Sequence, residues 1–157
     1  MKKRIISLAL LGISVLTVTA CAALQAQSQR MAEKIIRLHV VANSDSDADQ
    51  AVKLRVRDAV LREAQNVLSD ASDAKQAILT DIPALEAAAN AELRRQGSGD
   101  TACVSFRREL FPTRDYDTFS LPPGVYQSLR VTIGEGAGHN WWCVIFPSLC
   151  VPATTDG

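Results

Sequence analysis

The chain has 157 residues, with 17 lysines and arginines against 17 aspartates and glutamates and 47% hydrophobic residues, which is one domain's worth of material once any targeting segment is set aside. A formal net charge of zero argues against recognition of nucleic acid through a broad basic face, because neutralising phosphates takes many surplus cations. The four cysteines take their meaning from the compartment, since disulfides persist outside the cytosol and are rare within it.

The N-terminus speaks to that compartment. Met1-Lys2-Lys3-Arg4 is a short basic region, and residues 5–18 are apolar apart from Ser7, Gly12, Ser14 and Thr17, ahead of small residues from Thr19 to Ala23. This is a secretory signal pattern. Cleavage after Ala22 or Ala26, lipidation of Cys21 in Val18-Thr19-Ala20-Cys21, and retention as an anchor all stay open, because the apolar run through Leu24 reaches the roughly 20 residues that span a bilayer. Under each of them the positive end stays inside and the domain is placed outside the cytoplasm. The chain thus divides into a signal peptide or membrane anchor over residues 1–26, a Gln-rich tether over 27–34, one domain over 35–150 and a frayed tail over 151–157.

In chain order, residues 35–41 are β-branched and almost continuously apolar, which predicts a central strand. The following Asn43-Ser44-Asp45-Ser46-Asp47 bonds its own backbone and caps a helix over residues 47–68, with Ser46 and Asp49 at capping-box spacing. A second helix follows from the Asp73 region to about Gln96, where Pro83 predicts a kink or a fresh start capped by Asp81. Ala102, Val104 and Phe106 alternate as a strand with one wet face. A proline-punctuated loop from Phe111 to Gly124 precedes a further alternating strand, with Val125, Leu129, Val131 and Ile133 among its inward candidates. Gly134-Glu135-Gly136-Ala137-Gly138 reads as a flexible hairpin connection to a last strand from Trp141; a phosphate cradle would need a helix after it, not a strand. The predicted fold is α+β in the order β-α-α-β-β-β, a mainly antiparallel four-stranded sheet with two helices packed against it.

Three polar clusters fall at strand ends and loops: His39 with Asn43, Ser44 and Asp45; Phe111-Pro112-Thr113-Arg114; and His139-Asn140-Trp141-Trp142. If they meet on one edge of the sheet they form a single surface. A hydrolase would take Ser44 or Cys143 as nucleophile, His39 or His139 as base and Asp45 as orienter, but no nucleophile elbow or HExxH motif supports it. Capping accounts for Ser44 and Asp45, and a core position accounts for His39. A metal site from His39, His139 and Asp45 would need two loops to converge, which nothing in the spacing requires, so no cofactor or metal is expected. Trp141 and Trp142 point to opposite faces of their strand, and a tryptophan on the outer side is a preferred interface anchor. Cys143 and Cys150 could bridge and clip the chain end onto the last strand, or remain buried thiols; with Cys103 as a third, not all can pair.

The phrases His39-Val40-Val41-Ala42-Asn43-Ser44-Asp45-Ser46, Lys53-Leu54-Arg55-Val56-Arg57-Asp58-Ala59-Val60-Leu61, Phe111-Pro112-Thr113-Arg114-Asp115-Tyr116, Leu121-Pro122-Pro123-Gly124-Val125-Tyr126 and Gly138-His139-Asn140-Trp141-Trp142-Cys143-Val144-Ile145-Phe146-Pro147-Ser148-Leu149-Cys150 together resemble the stage II sporulation protein R family. The resemblance implies a secreted signalling protein of endospore formation, made in the forespore and exported into the space between the forespore and mother-cell membranes. It implies as partner a membrane-embedded aspartic protease that processes the precursor of sigma factor E, and it implies no catalysis by the chain itself. The residues expected to carry partner binding are His39, Asn43, Asp45, Arg114, His139, Asn140 and Trp141. An extracytoplasmic hydrolase and a cell-wall binding module are the competing classes.

Overall fold

The computed structural model describes residues 2–116, 119–147 and 150–152. Ser148 and Leu149 of the C-terminal phrase, and residues 153–157 of the tail, lie outside the described residues. The elements are helices α1 (Lys2–Ala32), α2 (Asp47–Ser69) and α3 (Ala74–Arg95), and strands β1 (Ile36–Val41), β2 (Ala102–Phe111), β3 (Arg114–Asp115), β4 (Ser120–Leu121), β5 (Gly124–Ile133), β6 (Asn140–Phe146) and β7 (Val151–Pro152).

The main sheet is mixed, in the order β2-β5-β1-β6-β7. β1 lies at its centre as its apolar sequence predicts, and all six of its residues are buried. It runs parallel to β5 and antiparallel to β6, while β2–β5 and β6–β7 are antiparallel. The sheet is mainly antiparallel as predicted, with β1–β5 its one parallel pair among the described strands, and residues 151–152 of the predicted tail add a fifth, two-residue strand by pairing with Val144 and Cys143.

Helices α2 and α3 cover one face. Ile36, Leu38 and Val40 of β1, Leu129, Val131 and Ile133 of β5, and Cys143 and Ile145 of β6 meet Val56, Val60 and Ala64 of α2 and Ile78, Leu85, Ala89 and Leu93 of α3. Each fully buried aliphatic side chain there contributes about 1.5–3 kcal/mol. Val125, expected inward, is instead exposed at the start of β5. Ser46 caps α2 by accepting from the Asp49 amide at 3.1 Å, and Asp73 caps α3 by accepting from the Gln76 amide at 3.1 Å. α3 is continuous through Pro83, so no fresh start at Asp81 occurs; the proline is exposed, and a carbonyl left without its amide partner on that side can bond water.

The second face is also covered. The proline-punctuated loop folds back as the β3–β4 ribbon and places Tyr116 and Leu121 with Phe111, Tyr126, Val144 and Ala32 in a second apolar cluster. α1 runs unbroken into the residues read as a tether and ends at Ala32, because Ala, Gln, Arg and Met are good helix formers. Its segment Leu10–Gln27 is long and apolar enough to cross a membrane, and none of it is buried in the protein.

Candidate functional site

β5 and β6 are not neighbours, since β1 lies between them. The glycine loop between Ile133 and Asn140 is therefore not a hairpin: it must cross the C-terminal end of β1, and there it meets the turn that leads into α2. Ala137 and Gly138 amides donate to the carbonyls of Asn43 and Ala42 at 3.1 and 3.0 Å, and the Glu135 amide donates to Asn43 Oδ1 at 2.9 Å. Two glycines are required by the closeness of this contact. A Cβ on Gly138 would lie 2.2 Å from the Ser44 carbonyl oxygen, and one on Gly134, which also has φ +54, would lie 2.3 Å from Asn43 Oδ1. The loop read as flexible is a clasp.

Asp45 and His139 form its outer edge. Asp45 Oδ1 accepts from the His139 amide at 2.6 Å and also engages His139 Nδ1. Those hydrogen bonds, the side-chain one first, hold the Asp45 carboxyl below its usual range. The two side chains remain 54% and 73% exposed, so a partner can reach them. Underneath, the buried Lys53 of α2 donates to the His139 carbonyl at 3.0 Å and to Gln50 Oε1 at 2.6 Å. Ser44 Oγ donates to Asp49 Oδ2 at 2.5 Å, and this bond, with Asn43 Nδ2 to the same oxygen, lowers the Asp49 carboxyl. The hydroxyl proposed as a nucleophile is thus directed at a carboxylate and not at a histidine.

Of the predicted site residues, Asn43, Asp45 and His139 are brought together, with Asn140 next in line opposite Val41. His39, Arg114 and Trp141 are not. His39 faces away from the helices, stacked on Trp142 with ring centroids 3.8 Å apart, and its Nδ1 is 3.8 Å from Glu109 Oε2. Burial pushes its pKa down to about 4, so the ring is neutral at neutral pH. Arg114 lies over Trp142 on that same face. Trp141 turns to the other face, where the Arg57 guanidinium, itself held by Asp58 at 2.7 Å, lies 4.1 Å above its ring. The two tryptophans do occupy opposite faces, and each is half-buried. The single surface imagined for all three clusters divides into a polar clasp at the end of β1 and an aromatic layer on the second face.

That layer contains residues the sequence reading passed over. Arg37 is 1% exposed, donates from Nη2 to the Tyr116 hydroxyl at 2.9 Å and lies 4.0 Å over the Phe111 ring. A charged residue in the middle of an otherwise apolar strand was the available signal. Glu109, which faces His39, also receives Arg107 and Arg130. Cys143 lies on the helix face and His39 on the opposite one, so they cannot act as nucleophile and base together. Among the described residues no group of three or more His, Cys, Asp or Glu could hold a metal ion.

The comparisons with known proteins agree on one family. The model of the family described as Stage II sporulation protein R matches residues 32–156, which takes in the clasp, the aromatic layer and both layers of the core. The chain is 37% identical over 128 residues to the protein named Stage II sporulation protein R of Bacillus subtilis (strain 168), an alignment covering 80% of this chain and 57% of that relative, so the chain spans little more than half the relative's length. No solved structure matches it. With the family matched across nearly the whole folded region, the chain belongs to the stage II sporulation protein R family.

Proposed function

We propose that this protein is an exported signal of endospore formation that activates, by binding, the membrane-embedded aspartic protease which processes the sigma factor E precursor. The observation that carries the reading is the order of parts: a helix of membrane-crossing length joined directly to a domain that matches the sporulation family over residues 32–156. That order suits a messenger released into, or tethered within, the space between the forespore and mother-cell membranes.

The clasp is the surface best suited to the partner. Its backbone is fixed by contacts between two loops distant in sequence, so little ordering entropy remains to be lost on docking. Asp45 and His139 project from it into solvent. Activation follows if this surface binds the active state of the protease more tightly than the inactive one, because a ligand shifts an equilibrium only by its differential affinity. No turnover by the chain is needed.

The test is precursor processing in sporulating cells with His139→Ala and Asp45→Ala proteins that are shown to be secreted and folded. Loss of processing in both is expected. Normal processing in both removes the clasp as the contact surface. Ser44→Ala separates the hydrolase alternative: a folded variant that no longer signals and lacks an enzymatic activity of the wild type would favour chemistry over binding.

A further inference from the structure

The cysteines of the last two strands stand together in a way that neither the fold nor the signalling reading uses. Cys143 sits in β6 on the helix face, 1% exposed, and Cys150 is half-buried and packs on the same core. The pairing of β6 with β7 turns the chain back so that Val151 lies opposite Val144 and Pro152 opposite Cys143. Both side chains therefore belong to the same layer of core, where the chain meets β6 again on entering β7. Cys150 itself has φ +47, a conformation that a residue with a Cβ adopts at a cost and keeps only when its surroundings hold it.

We propose that Cys143 and Cys150 are a disulfide-forming pair, oxidised by thiol–disulfide exchange with a disulfide-bearing oxidant outside the cytoplasm, so that β7 is tied to β6 beside Trp141. The compartment in this statement rests on the export reading; the pairing rests on geometry alone. The other candidate partner in the domain is excluded by distance: Cys103 is on β2, at the opposite edge, three strand spacings from β6. That is about 14 Å, twice the Cα separation a disulfide tolerates.

The environment assigns the order of events. The hydrogen bond from Cys143 pulls the Cys150 thiol down to about 7, with the Arg57 guanidinium acting in the same direction, while the same contact and burial push Cys143 strongly up. The Cys150 thiolate attacks one sulfur of the oxidant, forming a mixed disulfide and expelling the other sulfur as a thiolate. The charge that held the Cys143 proton is then gone. Cys143 loses that proton, its sulfur attacks Cys150 Sγ, and the oxidant's second sulfur leaves. Two protein thiols are oxidised by two electrons, one disulfide of the oxidant is reduced to two thiols, and both protons end on those thiols.

The test uses the full chain in detergent, treated with oxidised glutathione, unfolded, and counted for free thiols by maleimide labelling and mass. Of the four cysteines, two should lose reactivity, and peptide mapping should join Cys143 to Cys150. Cys103→Ser should leave that bond intact, and Cys150→Ser should abolish it while Cys143 stays reduced. A bond that includes Cys103, a stable glutathione adduct on Cys150, or full labelling of both residues would overturn the pairing. A bond that forms in vitro but is absent from protein recovered from sporulating cells would overturn the export reading while the pairing stands.

Discussion

His39 holds a neutral ring between Trp142 and Glu109 because burial resists its protonation. In the unfolded chain the same imidazole takes up a proton near pH 6.5, whereas the folded protein refuses it until about pH 4. The folded form therefore binds fewer protons across that window, so its stability is complete above about pH 6.5 and declines as the pH falls, by roughly 3 kcal/mol at most. In His39→Gln the urea midpoint, followed by tryptophan fluorescence, should lose much of this acid dependence; an unchanged pH profile would show that other groups govern it. Gly138 makes a second residue-scale case. An added methyl meets a backbone carbonyl, which cannot swing aside like a side chain, so Gly138→Ala should cost about 1–3 kcal/mol and lower the thermal midpoint. The clasp would be loosened with it, so on the proposed signalling role the same variant should support precursor processing poorly even where it remains folded.

At the scale of elements, the caps and the last strand make separable contributions. The Ser46 hydroxyl accepts from the Asp49 amide at the start of α2, and Ser46→Ala should destabilise the domain by about 1 kcal/mol in denaturant titration. β7 is two residues long and pairs with β6 alone. Closing the loop between Cys143 and Cys150 should stabilise the oxidised protein over Cys150→Ser by about 2 kcal/mol, read as a reductant-sensitive shift in midpoint. The strands themselves were legible in the sequence from their alternation and β-branched content, and the helices from their period, the Ser46 cap and the polar stretch over residues 69–73, within which the structure selects Asp73. The β3–β4 ribbon was not, because two-residue strands have no period to detect and exist only where Tyr116 and Leu121 find the second face of the sheet.

For the whole molecule, α1 and the folded domain are distinct in their solvent. Leu16 and Val18 are 69% and 67% exposed, and a helix that leaves such side chains uncovered needs lipid or removal. Ala32 at its end is buried in the second cluster, so the boundary that matters for folding is set by packing. A chain beginning at residue 28 should keep its thermal midpoint in the absence of detergent, while one beginning at residue 36 should lose stability with Ala32 and Ile35 gone. Equal midpoints for the two would remove the second cluster from the account of how the domain closes.

Local composition alone determined the apolar leader, the central position of β1, the two capped helices and the α+β class, since each depends on side chains within a few residues of one another. Its phrases also carried the family. Pairing decisions belonged to the tertiary structure: that β1 inserts between β5 and β6, that the glycine loop thereby becomes a clasp joining Asn43 and Asp45 to His139, and that His39 and Arg114 face an aromatic layer instead. These follow from strand order, and strand order is chosen by how two faces of one sheet are buried at once, a property no single stretch of sequence contains.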